Sequence, residues 1–282
     1  MHYKKIFFPI GGGEELKERI HGALLIAKHF KSHLQIFKAQ VTPKQLMQLS
    51  EALTQTVLEE LNSVAKEMLN EDLQNTLNIV KEEASILKIM LSKQARKEEV
   101  SVELTVKDGY RSKLIEQESK YCDLVIAASP HNAKITATFE ATITKSGKPA
   151  LVFPRKMKIF KTEHILIAWN NSPEVSRALS QAIPLLQKAS KVHVITSKEF
   201  ISNEKDMDKL MSYLEIHGIS SSYEVIRTTR IPGEALLKYS NKNKFDLIVA
   251  GAFGHKGLKE LMLGGTTKYI LEHTKIPIFM AH

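Results

Sequence analysis

The sequence predicts an α/β fold with two tandem domains, each a mostly parallel five-stranded sheet flanked by helices. Three observations support this prediction. The chain has 282 residues, whereas a single domain typically has about 100–200. Short apolar runs alternate with amphipathic segments, as in right-handed strand–helix–strand units. The same order of strands and helices occurs twice along the chain.

The second half shows this order most clearly. Residues 164–169 form an apolar run that is typical of a buried parallel strand. The following turn supplies N-cap chemistry, and Pro173 suits the first turn of a helix. Gly218 suits the position after a helix. The other predicted strands are 191–196, 223–226, 246–250 and 276–280, and the helices are 175–189, 203–217, 233–241 and 266–273.

The first half repeats the order at changing distances. Its predicted strands are 5–10, 34–37, 102–106, 123–127 and 149–153. The offset to the matching strand is 159 residues at the first strand, 123 at the fourth and 128 at the last. The first half therefore has 36 additional residues before its fourth strand and five fewer after it. The additional residues lie within about 44–99 and have the composition of one or two long amphipathic helices.

These offsets predict domains at residues 1–155 and 162–282, joined by the short basic segment 155–161. In an open α/β sheet, ligands bind at the carboxyl ends of the strands. The turn after the fourth strand of the second half is therefore the candidate site. Its glycines would let the backbone turn tightly and approach a ligand, and the next helix would offer its N-terminal amides to an anion. On spacing alone, such glycines are equally typical of a loop that only starts a helix.

The spacing Gly251-x2-Gly254-x9-Gly264 resembles the nucleotide loop of the universal stress protein family. The resemblance covers residues 162–282, whereas residues 1–155 resemble the family through strand order only. It implies a tandem universal stress protein with a Rossmann-like (adenine nucleotide α-hydrolase-like) fold. It also implies a stress-response protein that binds ATP, ADP or AMP in its second domain, with or without Mg²⁺.

The resemblance assigns a role to particular positions. Loop glycines would hold the phosphates, and the end of the second strand would lie against the adenine. Asn170 stands where an acidic residue usually contacts the ribose, so it keeps hydrogen bonding but not charge. Gly265 stands where Ser or Thr is usual. The implied nucleotide-binding residues are Asn170, Val194, Thr196, Gly251, Gly254, His255, Gly264, Gly265 and Thr266.

The first half departs further from the family pattern. Residues 128–133 contain no glycine pair, and Gly11 stands where the ribose-binding acidic residue would be. We therefore expect no competent nucleotide site there, and a structural role for this domain. Residues 11–13 superficially suggest a phosphate loop. However, Glu14 and Glu15 would occupy the first helical turn and repel phosphate, so a flexible turn is the favoured interpretation.

Composition and isolated residues narrow the classes of function. Cys122 is the single cysteine, which excludes an internal disulfide and favours a reducing, cytoplasmic location. No run approaches the 18 apolar residues of a membrane span. The net charge of +9 is dispersed among acidic residues, so it favours solubility over nucleic-acid binding. His29 and His33 are four residues apart, but residues 31–32 look like the end of the helix, so we expect no metal ligation from one helix face.

Several alternatives remain open at the level of sequence. No activated hydrolytic centre is visible, so we expect at most slow ATP hydrolysis. A structural or interaction protein of the same family without a nucleotide is the main alternative. An adenylating enzyme would carry S-G-G-x-D-S or H-I-G-H, and neither is present. In the family, domains pair through the last strand, so we expect residues 151–153 and 278–280 to pair within the chain, and we also expect a homodimer.

Overall fold

A computed structural model of the chain contains one mixed sheet of eleven strands with helices packed against it. The structure describes residues 3–40, 55–95, 99–133, 135–201, 204–227, 232–252 and 266–282. These residues confirm the α/β class and the predominance of parallel strands. In the described residues, no helix is both long and apolar enough to cross a membrane.

The strands of both halves lie close to their predicted positions. The strands are β1 (Lys5–Ile10), β2 (His33–Gln40), β3 (Met90–Leu91), β4 (Ser101–Asp108), β5 (Leu124–Ala128), β6 (Ala150–Phe153), β7 (His164–Ala168), β8 (Lys191–Ser197), β9 (Ser221–Ile226), β10 (Leu247–Gly251) and β11 (Ile278–Ala281). The first half has six of these strands rather than the five predicted. The additional strand, β3, has only two residues and pairs with β4 at the edge of the sheet. A strand of two exposed residues is too short to show an apolar pattern in the sequence.

The helices also agree with the predicted periodicity. They are α1 (Leu16–Phe30), α2 (Gln55–Leu87), α3 (Arg111–Glu118), α4 (Ala137–Thr144), α5 (Pro173–Leu186), α6 (Glu204–Ile216), α7 (Pro232–Lys242) and α8 (Thr266–His273). Ser172 caps α5, since its hydroxyl accepts a hydrogen bond from the Val175 amide at 3.3 Å. Gly218 follows α6 with a φ of 72°, a conformation that suits glycine.

The start of α1 differs from its prediction. The helix begins at Leu16, so Glu14 and Glu15 precede it instead of forming its first turn. Glu15 adopts a left-handed conformation with φ of 60°, and its carboxylate is paired with Arg155 and Lys156. These pairs lower the pKa of Glu15 to about 2. Glu15 is therefore neutralised by the basic connector, and it does not oppose an anion as the sequence argument assumed.

The two halves join through their last strands. The order is β3-β4-β2-β1-β5-β6-β11-β10-β7-β8-β9, and each pair is parallel except β6 with β11. In that antiparallel pair, Leu151 stands opposite Phe279 and Val152 opposite Ile278. The pairing expected between the two last strands is confirmed. It buries apolar strands that would otherwise form exposed edges.

Helix α2 accounts for the described part of the insertion and packs along α1. Val80 and Ala84 are buried in the core. Two polar contacts accompany this packing. His21 Nδ1 on α1 lies 2.7 Å from a Glu83 carboxylate oxygen on α2, and Lys38 Nζ on β2 donates to Thr76 Oγ1 on α2 at 2.8 Å. The insertion therefore covers a helix of its own half. Residues 44–54 and 96–98 of the insertion lie outside the described residues.

Candidate functional site

A cavity of about 200 Å³ lies at the carboxyl ends of β7, β8 and β10. Strand β7 has β10 on one side and β8 on the other, so the chain reverses its direction of winding there. Such a switch point is where α/β sheets bind ligands. The wall consists of Ala168, Trp169, Asn170, Ser172, Ile195, Thr196, Ser197, Phe200, Ile226, Pro232, Ala235, Leu236, Ala250, Gly251 and Ile270.

Two hydroxyl groups in this wall have no hydrogen-bond partner among the described residues. They belong to Thr196 and Ser197, which end β8 and are only 4% and 3% exposed. A buried polar group without a partner costs about 1–3 kcal/mol. Buried hydroxyls are therefore almost always bonded, and an unpartnered pair in a cavity wall indicates a missing acceptor or donor.

Asn170 is exposed at the mouth of the cavity. Its side-chain oxygen accepts a hydrogen bond from the Ser172 amide at 3.2 Å. This turn places Ser172 to cap α5. Because the oxygen is engaged in the turn, the group that Asn170 can offer a ligand is its NH2 donor. An acidic residue at this position could offer only acceptors.

Gly251 has a packing role that its position in a glycine motif did not predict. A Cβ at this position would lie 2.8 Å from the backbone nitrogen of Val175 and 3.0 Å from Glu174 Cβ. The first turn of α5 therefore approaches β10 too closely for any side chain. The glycine spacing predicts a tight turn and approach to a ligand at Gly251, and the structure adds a contact between α5 and β10 that itself requires a glycine.

The predicted site residues separate into three groups. Asn170, Thr196 and Gly251 line the cavity together. Val194 is fully buried in the core and is not part of the wall, to which β8 contributes only its last three residues, Ile195, Thr196 and Ser197. Trp169 is half-buried and lines the cavity while packing against the core.

The third group lies outside the described residues. Gly254, His255, Gly264 and Gly265 fall in the segment 253–265, and Thr266 is the first residue of α8. The helix start predicted at Thr266 is confirmed. The proposed contacts of these residues with phosphate stay predictions.

Apolar side chains from separate elements complete the wall, and sequence reasoning missed them. Phe200 follows β8, Ile226 ends β9, Leu236 lies on α7 and Ile270 lies on α8. The ends of adjacent parallel strands converge, which could have indicated Ile226, but no local pattern marks Phe200. None of the described wall residues carries a charge. This part of the cavity therefore suits an uncharged ring that offers a few hydrogen bonds.

A polar cluster lies elsewhere on the second-half strands. His193 Nδ1 is 2.7 Å from Ser222 Oγ, and its Nε2 is 2.8 Å from the Tyr239 hydroxyl. That hydroxyl donates to Glu224 at 2.7 Å, so Nε2 carries the proton of a neutral imidazole. Burial, and secondly the Lys191 charge, lower the pKa of His193. Burial likewise raises the pKa of Tyr239 to about 12.

Other reactive side chains have structural partners. The Cys122 thiol is buried and donates to the Ser119 carbonyl, and burial raises its pKa to about 12. His29 lies 3.0 Å from the Thr162 hydroxyl, and His33 lies 2.8 Å from the Ser101 hydroxyl. Because its pKa is raised, the Cys122 thiol is unsuited to act as a nucleophile. No cluster of metal-ligating side chains occurs within the described residues.

Comparisons with known proteins agree with the resemblance. Residues 161–282 match the model of the universal stress protein family. A universal stress protein from Synechocystis is 26% identical over 195 residues, which cover 63% of this chain and 64% of that protein. The match thus spans just under two thirds of this relative.

Solved structures share the fold over nearly the whole chain. A universal stress protein from Archaeoglobus fulgidus superposes with a TM-score of 0.65 at 16% identity, covering 98% of this chain and 95% of the other. A functionally unknown protein from Pseudomonas aeruginosa PAO1 gives a TM-score of 0.52 at 17% identity, covering 98% and 92%. At these identities the likeness concerns the fold, and it extends over the first half, which the family model does not match.

Proposed function

We propose that the second half of the chain, whose residues 161–282 match the model of the universal stress protein family, binds an adenine nucleotide and acts as a regulatory module in a stress response. The observation that carries the proposal is the pair of unpartnered, buried hydroxyls of Thr196 and Ser197 in an uncharged cavity. The cavity lies at the switch point of the sheet, where nucleotide sites of α/β folds occur.

The adenine ring fits the chemistry of the β8 end. Apolar side chains of Ile195, Phe200 and Ile226 would pack against the ring. The Thr196 and Ser197 hydroxyls would bond to its nitrogen edge, because a hydroxyl can both donate and accept. The NH2 group of Asn170 would donate to a ribose hydroxyl at the cavity mouth.

The phosphates of ATP, ADP or AMP would lie toward the glycine loop. Backbone amides of Gly254, Gly264 and Gly265 and the N-terminus of α8 are suited to bind an anion, and His255 and Thr266 would add side-chain donors. Mg²⁺ would accompany ATP through its phosphate oxygens. In this proposal the protein binds and orients the nucleotide, and any hydrolysis is slow, since the described wall presents no general base.

Isothermal titration of the full chain with ATP, AMP and GTP, each with and without Mg²⁺, tests the proposal. We expect heat of binding with ATP and AMP and a weaker response with GTP, whose base edge has a different donor and acceptor pattern. Denatured protein should also release an adenine nucleotide that mass spectrometry can identify. If ATP and AMP give no heat and no nucleotide is released, the alternative of an interaction protein without a nucleotide is correct.

Replacing Gly254 with a bulky residue separates the two functions further. If the loop holds phosphates, nucleotide affinity should fall while the cooperativity of unfolding is retained. If unfolding changes and the affinity does not, the loop has an architectural role only.

A further inference from the structure

The first half has its own cavity, with a chemistry unlike that of the second. Its volume is about 270 Å³, and it lies at the carboxyl ends of β1 and β5. Arg19, Arg111 and Arg155 contribute to its wall, together with the glycine turn 11–13 and hydroxyl-bearing residues at the start of α4. Three guanidinium groups replace the uncharged wall found in the second half.

Two of these guanidinium groups, those of Arg19 and Arg111, make no ion pair within 4 Å in the part of the chain that the structure describes, and only the longer-range charges of Glu15 and Glu18 act on Arg19. Arg19 is buried and donates to the carbonyls of Glu15 and Gly13 at 3.3 and 3.4 Å. Burial lowers the pKa of Arg19 to about 10, which leaves it charged at neutral pH. The exposed Arg111 makes one long contact, 3.4 Å to Thr138 Oγ1. Arg155 differs, because Glu15 pairs with it.

The remaining charges near the cavity do not cancel this excess. The Glu14 carboxylate in the wall is exposed and lies 3.2 Å from His131 Nε2. Glu15 is shared between Arg155 and Lys156. The wall thus retains positive charge at Arg19 and Arg111, where an anion would gain two charged hydrogen-bond donors.

Gly11 explains how Arg111 reaches the cavity. A Cβ on Gly11 would lie 3.1 Å from Arg111 Nη1, so even an alanine there would push the guanidinium by a few tenths of an ångström. By the offset of 159 residues between the first strands, Gly11 corresponds to Asn170 in the second half. Where the second half presents an amide to a hydroxyl, the first half presents a cation. The absence of a side chain at Gly11 is therefore a means of changing the ligand.

The wall of this cavity favours a compact ligand over a nucleobase. The second-half cavity reaches the ends of β8 and β9 through Thr196, Ser197 and Ile226. In the first half, none of the described wall residues lies on β2 or β4, the corresponding strands. The surface against which an adenine ring would pack in the second half therefore has no counterpart on these two strands.

The start of α4 completes an anion site. Thr136 caps this eight-residue helix by accepting a hydrogen bond from the Phe139 amide at 3.2 Å, and Thr136 and Thr138 both line the cavity. A helix N-terminus stabilises a negative charge, and here it acts together with the Arg111 and Arg19 charges. A phosphate group, with oxygens in several directions, can use donors from all three elements.

From this arrangement we infer that the first half binds a compact phosphate monoester without a nucleobase, with Arg111 as the principal ligand-binding side chain. This inference does not depend on nucleotide binding in the second half. The probe is glycerol 3-phosphate, titrated calorimetrically into the full chain, with inorganic phosphate and glycerol as separate arms. We expect binding of glycerol 3-phosphate and none of glycerol. Binding of inorganic phosphate but not of glycerol 3-phosphate would show that the free anion is the ligand, and it would overturn the inference that the ligand is a phosphate ester.

Matched variants locate the site. Arg111→Gln should weaken binding of glycerol 3-phosphate by about tenfold or more. Lys113→Gln removes the same charge from an exposed position on the same helix and should change the affinity by less than about twofold. Gly11→Asp, which adds a carboxylate beside Arg111, should abolish binding, and urea unfolding checks that each variant is folded.

Three further results would overturn the inference. They are that the wild-type chain does not bind glycerol 3-phosphate, that Arg111→Gln and Lys113→Gln lose affinity equally, or that ATP competes with glycerol 3-phosphate for one site. Equal losses would indicate diffuse electrostatic attraction, and competition would place the phosphate in the second half.

Discussion

The hydroxyl of Thr196 gives the sharpest test of the candidate site, because its removal should have opposite effects on stability and on binding. The hydroxyl is buried without a partner among the described residues, which costs the ligand-free chain about 1–3 kcal/mol. Thr196→Val keeps the shape and the preference for a strand. It should therefore raise the free energy of unfolding by about 1 kcal/mol, while weakening ATP binding by about tenfold, or 1.4 kcal/mol.

Thr274→Val is the matched control in the same half of the chain. Thr274 is also buried, but its hydroxyl donates to the Ile276 carbonyl at 2.6 Å and accepts from the Ile276 amide at 3.2 Å. The same substitution there should lower the free energy of unfolding by about 1–2 kcal/mol and leave ATP affinity unchanged.

Urea unfolding followed by fluorescence of Trp169 measures both variants. Trp169 is the single tryptophan of the chain and lies in the second half, so the signal reports the half that carries both substitutions. A shift of the midpoint at constant slope measures stability. The reasoning is refuted if Thr196→Val destabilises the chain as much as Thr274→Val, since the hydroxyl would then have a partner within the protein.

Two further predictions concern stability. Gly251→Ala should lower the free energy of unfolding by about 1–3 kcal/mol, because its Cβ would meet the Val175 backbone. Gly12→Ala, whose Cβ would have no atom within 4 Å, should be neutral or slightly stabilising. Equal melting temperatures of these two variants would contradict the prediction. Burial lowers the pKa values of His29 and His193, so the unfolded chain binds protons more readily. The free energy of unfolding should therefore fall as the pH drops below about 6.5, the pKa of histidine in the unfolded chain. A urea midpoint of unfolding that stays constant between pH 7.5 and 5.5 would contradict this prediction.

The order of the fold could be predicted because apolar periodicity directly reports buried strands and amphipathic helices. The start of α8 at Thr266 follows from such local patterns. The pairing of residues 151–153 with 278–280 is expected from the family resemblance and from the apolar character of these strands. The two-residue β3 could not be predicted, because it is held by pairing with a neighbour and has no buried face. Its existence depends on tertiary contact alone.

The site was less predictable for a related reason. A motif indicates which residue types occur, but not which atoms they meet. Val194 lies in the core, one residue before the part of β8 that lines the cavity, and the close approach of α5 requires Gly251. Likewise, Glu15 reads as a charge that repels phosphate until the distant Arg155 is placed beside it. Each of these outcomes depends on contacts between segments far apart in sequence.

The antiparallel joint between β6 and β11 determines how the two cavities relate. Within each half the strands run parallel, so β1 and β7 run in opposite directions. The carboxyl ends of the two halves therefore lie at opposite ends of the shared sheet, and the cavities that open there share no wall residue. A ligand at one site gains no contact with the other. The repeat thus allows the first half to have arginines where the second half has an uncharged wall, without disturbing the second-half cavity.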